Sequence, residues 1–126
     1  MSGVEWLLDT NVVIGLLKQQ TATIALLESH PFDLSKAAVS QITRMELLGF
    51  PGLLPEEELA ILDLLQNCRI LFIDELVEQK AIQLRRTSHC KLPDAIIAAT
   101  ALVNNLTLLT LDQRLQNLLA QFKTDK

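Results

Sequence analysis

A chain of 126 residues, 49% hydrophobic and 21% charged, has the length of one domain and enough apolar content to fill a core, which excludes a disordered segment. Its formal charge of −4 excludes the broad basic face of a sequence-neutral nucleic-acid coat, though not a nuclease, because clustered metal-binding acids contribute heavily to so small a net charge. No apolar run reaches the roughly 18 residues of a membrane helix, and no basic, apolar and small-residue succession marks a secretory leader, so the cytoplasm is the expected compartment and no membrane the expected partner.

In chain order, short apolar runs alternate with longer helical ones. A strand is expected at Trp6 to Leu8, helices near Asn11 to Lys18 and Thr23 to Glu28, and a strand near Ala37 to Ser40. A helix from about Thr43 to Leu48 stops at Gly49 and Pro51, and Pro55 opens the next, PEEELAILDLLQN, with acids in its first turn where the helix dipole favours them. Then come a strand ILFI (70–73), helices from about Glu75 to Arg86 and over DAIIAATALV (94–103), a strand LTLLT (106–110), and a last helix from about Gln113 to Gln121. Strands alternating with helices imply parallel pairing and a sheet covered on both faces, in a single domain over 1–126. Cys68 and Cys90, with only His30 and His89 beside them, form neither a disulfide framework nor a zinc spacing, and read as reduced, structural thiols.

Four acids stand where local structure does not require them. Asp9 interrupts EWLLDTNVVI where the first strand gives way to a helix; it is either a helix cap or a ligand at the carboxyl edge of a parallel sheet. Glu46 in SQITRMELLGF shares its helical stripe with Ile42, Thr43, Gly49 and Phe50, so a carboxylate in need of a partner is expected there: it belongs to a site, or an Arg or Lys reaches it from elsewhere, or a loose helix end keeps it wet. Asp94 follows Pro93 in LPDAIIAATAL and is a cap or a site residue beside the small face of Ile97, Ala98 and Ala101. Asp112 follows the last strand as Asp9 follows the first. Asp74, also after a strand, reads as a plain N-cap and shows that strand-end position alone is weak evidence.

Brought together, Asp9, Glu46, Asp94 and Asp112 would repel one another unless a cation neutralised them, and an all-oxygen set suits the hard ions Mg²⁺ or Mn²⁺. Such ions activate water and stabilise the attacking and leaving oxygens of phosphodiester hydrolysis, with two ions about 4 Å apart where both bind. Neither histidine has a visible triad partner, and this chemistry needs none.

LLDTNVVIGLL, VSQITRMELLGF, LPDAIIAATAL and LTLLTLD, in that order and spacing, resemble the successive motifs of PIN-domain ribonucleases, especially the VapC-type toxins of bacterial toxin-antitoxin pairs. LPDAIIAATAL is the most specific of the four and LLDTN the next. The resemblance covers nearly the whole chain. It implies a three-layer α/β/α sandwich around a central parallel sheet, and a Mg²⁺- or Mn²⁺-dependent endoribonuclease acting on RNA, often a homodimer and inhibited by a protein antitoxin. Carried over by motif, Asp9, Glu46 and Asp94 are the core catalytic and metal-binding acids and Asp112 the fourth, with Thr10, Asn11 and Thr110 supporting them. The chain departs from the pattern after the last strand: Leu111 stands where many relatives have Arg, and Arg114 and Leu115 stand where an Asp-Phe pair would fall.

Arg85, Arg86 and Lys91 are candidate phosphate contacts beside Asp94, or a solvated helix end with cations at its C-terminus; Arg44 is a partner for Glu46 or a substrate contact. With 4% aromatics and no Tyr there is no visible base-stacking platform. Leu59, Leu62 and Leu65 form a stripe that is core, or a dimer or antitoxin groove. The departures after Thr110 leave a second reading, a catalytically weak PIN-like module acting by RNA or protein binding. A phospho-accepting receiver domain is excluded by DTN, which lacks a second acid beside Asp9.

Overall fold

A computed structural model describes residues 3–123. Four strands, β1 (Trp6–Leu8), β2 (Ala37–Ser40), β3 (Arg69–Leu71) and β4 (Thr107–Leu109), form one parallel sheet in the order β3-β2-β1-β4. Helices α1 (Thr10–Leu17), α2 (Thr21–Glu28), α3 (Gln41–Leu48), α4 (Pro55–Gln66), α5 (Glu75–Ser88), α6 (Leu92–Val103) and α7 (Gln113–Lys123) occupy the connections, with a short 3₁₀ turn at Leu34–Lys36. Every expected strand and helix is present. None of the described helices is long and apolar enough to cross a membrane.

Successive strand residues point to opposite faces, and the core divides accordingly. Leu7 and Ala38 join Val77, Ala81 and Leu84 of α5, Ala95 to Ala99 of α6, and Leu115 and Leu118 of α7. Trp6, Leu8, Ala37 and Val39 join Val12 and Val13 of α1, Leu27 of α2, Leu47 of α3, and Ile61 and Leu65 of α4 on the other side. The result is the three-layer α/β/α sandwich. Within the stripe expected on α4, Leu65 is core while Leu59 is exposed, so that stripe splits between the two readings. Cys68 and Cys90 are free, half-buried thiols.

The boundaries differ from the sequence reading by one or two residues, each for a local reason. β3 ends at Leu71 because the backbone N–H of Ile73 donates to Gln41 Oε1 at 3.0 Å instead of continuing a ladder. α3 starts at Gln41, two residues early, because Ser40 caps it through the N–H of Ile42. α6 starts at Leu92 because Pro93 fits in a first helical turn, where its missing N–H is no loss.

One feature of the topology positions a site. From β1 the chain steps outward to β2 and β3, then crosses to β4 on the far side of β1, so the order reverses between β1 and β4. The crevice beyond the carboxyl ends of strands at such a reversal is where open α/β sheets bind ligands.

Candidate active site

The register of β1 against β4 pairs Leu8 with Leu109, which sets the next residues, Asp9 and Thr110, side by side in that crevice. The Asp9 N–H continues the ladder to the Leu109 carbonyl at 3.0 Å. Asp9 is 6% exposed and Thr110 is 1% exposed, so their polar groups must satisfy each other. The Thr110 hydroxyl donates to Asp9 Oδ2 at 2.6 Å, and Asn11 Nδ2 donates to the same oxygen at 3.2 Å. Asp9 Oδ1 accepts the N–H of Thr10 at 2.8 Å, so Asp9 does cap α1, but the cap engages only one of its oxygens. The amide of Asn11 is fixed in turn by the Leu111 N–H, which donates to Asn11 Oδ1 at 3.2 Å.

Glu46 reaches the same edge from α3. The Thr10 hydroxyl donates to Glu46 Oε1 at 2.6 Å. Thr43, fully buried one turn before Glu46, lies with its hydroxyl 3.1 Å from that of Thr10 and completes a chain of three. Of the alternatives for Glu46, burial against the core does not hold: the side chain is exposed at the helix end, and only Thr43 and Leu47 of α3 are buried. A helix of eight residues at the end of a sheet turns part of an apolar stripe past the core, and Met45 and Phe50 are exposed with it. Its partner is a threonine rather than a base: Arg44 forms no ion pair with Glu46 among the described residues.

Asp94 sits in the first turn of α6, and its carboxylate makes no hydrogen bond among the described residues, so capping does not account for it. Asp112 does cap, accepting the Arg114 N–H at 2.9 Å, while its own N–H donates to the Thr110 hydroxyl at 3.0 Å. Asp74 caps α5 through the Val77 N–H at 2.9 Å, as expected of a plain N-cap.

Electrostatics tie the four acids together. Burial raises the Asp9 pKa against the lowering effect of the Thr110 and Thr10 hydrogen bonds, and the charges of Glu46 and Asp112 raise it further. Burial also raises the Asp94 pKa, followed by the charges of Asp112 and Asp9, with Arg114 and Lys91 opposing. Each raised carboxyl thus feels its neighbours as anions. Among the described residues, no three carboxylate, imidazole or thiol groups are drawn close enough to enclose an ion by themselves. The donor set nonetheless fits Mg²⁺ or Mn²⁺: all donors are hard oxygens, and Mg²⁺ keeps several waters and binds proteins through only one or two carboxylates.

Among the cations singled out by sequence, Lys91 acts on Asp94, lowering its pKa. Arg85 and Arg86 line a separate apolar groove between α5 and α6. The cation that sequence reasoning missed as a contact is Arg114, whose Nε lies 4.0 Å from Asp112 Oδ1 with a largely exposed side chain. Its signal was its place two residues after Asp112, at the start of a helix.

The PIN domain family matches residues 6–119. Among solved structures, the chain is similar to a toxin-antitoxin complex from Klebsiella pneumoniae, at 32% identity over 87% of this chain and 88% of that one, with a TM-score of 0.73. It is also similar to FitAcB from Neisseria gonorrhoeae, at 32% identity over 91% and 93% of the two chains with a TM-score of 0.71. A further similar structure is DNA-bound VapBC from Salmonella typhimurium, at 26% identity over 82% and 83%, with a TM-score of 0.67. No curated protein matches the chain.

Proposed function

The chain belongs to the PIN domain family, and from that premise we propose that it is a Mg²⁺- or Mn²⁺-dependent endoribonuclease that serves as the toxin of a toxin-antitoxin pair. The observation that supports the chemistry is the mutual opposition of acids from separate elements, Glu46 and Asp112 acting on Asp9, and Asp112 and Asp9 acting on Asp94. The toxin role, and an antitoxin as protein partner, rest on the similarity to chains of toxin-antitoxin complexes.

In this reading Asp9, Asp94 and the neighbouring Glu46 and Asp112 would hold the ion. When bound, a divalent ion supplies acidification of a water nucleophile and neutralisation of charge gathering on the phosphate during in-line displacement. The protein supplies position. Thr110 and Asn11 fix the Asp9 oxygen they share, and Thr10 fixes Glu46, so neither carboxylate must be ordered when RNA arrives. Arg114, at the rim beside Asp112, is placed to meet a phosphate of the RNA backbone, since guanidinium offers paired donors to phosphate oxygens.

The test is growth of cells in which the chain is induced. Wild type arrests growth with degradation of RNA, while Asp94→Asn, equally expressed and folded, does not. Arrest by Asp94→Asn to the same degree would overturn the catalytic assignment and favour a module that acts by binding.

A further inference from the structure

Thr110, Leu111 and Asp112 cross from β4 to α7 outside any helix or strand, in the stretch where the chain departs from the family's motifs. They carry one acid of the cluster and the hydroxyl that meets another. The Leu111 N–H donates to Asn11 Oδ1 and the Asp112 N–H to the Thr110 hydroxyl, both within the site. The Thr110 carbonyl is held from outside it. Gln116, one turn into α7, donates from Nε2 to that carbonyl at 2.8 Å, while its backbone N–H donates to the Asp112 carbonyl at 3.1 Å.

Helix formation does not require the side-chain contact. A helix start needs acceptors for its free N–H groups, and Asp112 supplies one to Arg114. An amide that donates to a carbonyl two residues ahead of that cap satisfies none of them. Nor is Gln116 part of the core: it is exposed, while Leu115, Leu118 and Leu119 of α7 are buried.

We propose that Gln116 is a positioning residue of the acid site and acts through Thr110. The Thr110 carbonyl and the Leu111 N–H belong to one planar peptide unit, so Gln116 of α7 and Asn11 of α1 hold its two polar ends from opposite sides. A peptide held at both ends cannot rotate. Its fixed plane keeps the Thr110 hydroxyl on Asp9 Oδ2 and holds the Asn11 amide with its Nδ2 toward the same oxygen. The bonds run in series from Gln116 through the peptide and Asn11 to Asp9, and hydrogen bonds in series polarise one another. Without the Gln116 donor the carbonyl end is released, and the Thr110 hydroxyl loses its fixed direction.

The kinetic consequence rests on the nuclease reading, so the full chain is tested by two readouts. In amide hydrogen exchange without metal, Gln116→Leu speeds exchange at Leu111 by about tenfold and leaves β4 at the wild-type rate. In RNA cleavage with Mg²⁺ or Mn²⁺, Gln116→Leu lowers kcat by about tenfold with KM unchanged, because groups are misplaced and no RNA contact is lost. The double variant Thr110→Val, Gln116→Leu is no slower than Thr110→Val alone. Wild-type exchange at Leu111, an undiminished kcat, a loss confined to KM, or additive losses in the double variant would each overturn the proposal. A wild type that cleaves no RNA overturns the nuclease reading instead, and exchange at Leu111 then decides whether Gln116 holds the peptide.

Discussion

At Asp9, three donors hold a carboxylate that burial and two neighbouring acids disfavour as an anion. Because folding raises its pKa above the ordinary 3.8, the folded chain binds this proton more tightly than the unfolded chain. The resulting penalty is absent below the unfolded pKa, enters as pH rises through the interval up to the raised folded value, and is complete above it; Asp94 carries a penalty of the same sign. Without divalent ions, Asp9→Asn therefore raises the urea midpoint at neutral pH, and the gain shrinks as pH falls toward about 4. Mg²⁺ reverses the ranking by stabilising wild type and not the variant. A destabilised Asp9→Asn at neutral pH in chelator would contradict this account of the site. Thr10 is a different case, since its hydroxyl donates to Glu46 and orients that carboxylate. Thr10→Val keeps the fold and lowers kcat for RNA cleavage by about tenfold, the scale of one lost orienting hydrogen bond, while Thr10→Ser retains most of it. Equal loss in both variants would remove Thr10 from that role.

The packing of α1 against α2 depends on Gly15. A Cβ built there would stand 1.8 Å from Thr23 Oγ1 and 2.8 Å from Thr23 Cβ, and Thr23 is fully buried. Overpacking costs about 1–3 kcal/mol and outweighs the roughly 1 kcal/mol that alanine gains over glycine within a helix. Gly15→Ala therefore lowers the urea midpoint with an unchanged slope. An unchanged or raised midpoint would show that α2 is free to shift. This contact was not legible in GLLKQQTAT, because it depends on how two helices approach rather than on either pattern. The elements themselves were legible, since short continuous apolar runs such as WLL and the acid-rich first turn of α4 declare their type locally. So was the placing of Asp9 and Asp112 at one edge, because parallel strands end on the same side of the sheet and Asp112 follows β4 within one short turn. Glu46 was not: a helical stripe records which side chains share a face, but not whether a helix of eight residues turns that face to the core or past its end. The contact of Arg114 with Asp112 was hidden similarly, because the departure from the motif showed what was missing and not what the replacement touches.

For the molecule as a whole, the sheet order β3-β2-β1-β4 creates the crevice, and both covering layers serve to hold it. Leu7 and Leu8 bury into opposite layers, so β1 is fixed from both sides and Asp9 inherits that rigidity. Rigidity matters because catalytic groups are effective when already placed where charge will develop. It also sets carboxylates near one another at a cost that a divalent cation would remove, which would tie the proposed metal dependence to the fold itself. The most direct measurement is cleavage of end-labelled total RNA by the purified chain with Mg²⁺ or Mn²⁺, beside Asp94→Asn and an EDTA control. The account predicts discrete fragments from wild type with metal, and none from the variant or in EDTA. Absence of cleavage by a folded, metal-binding wild type, or undiminished cleavage in EDTA, would contradict it.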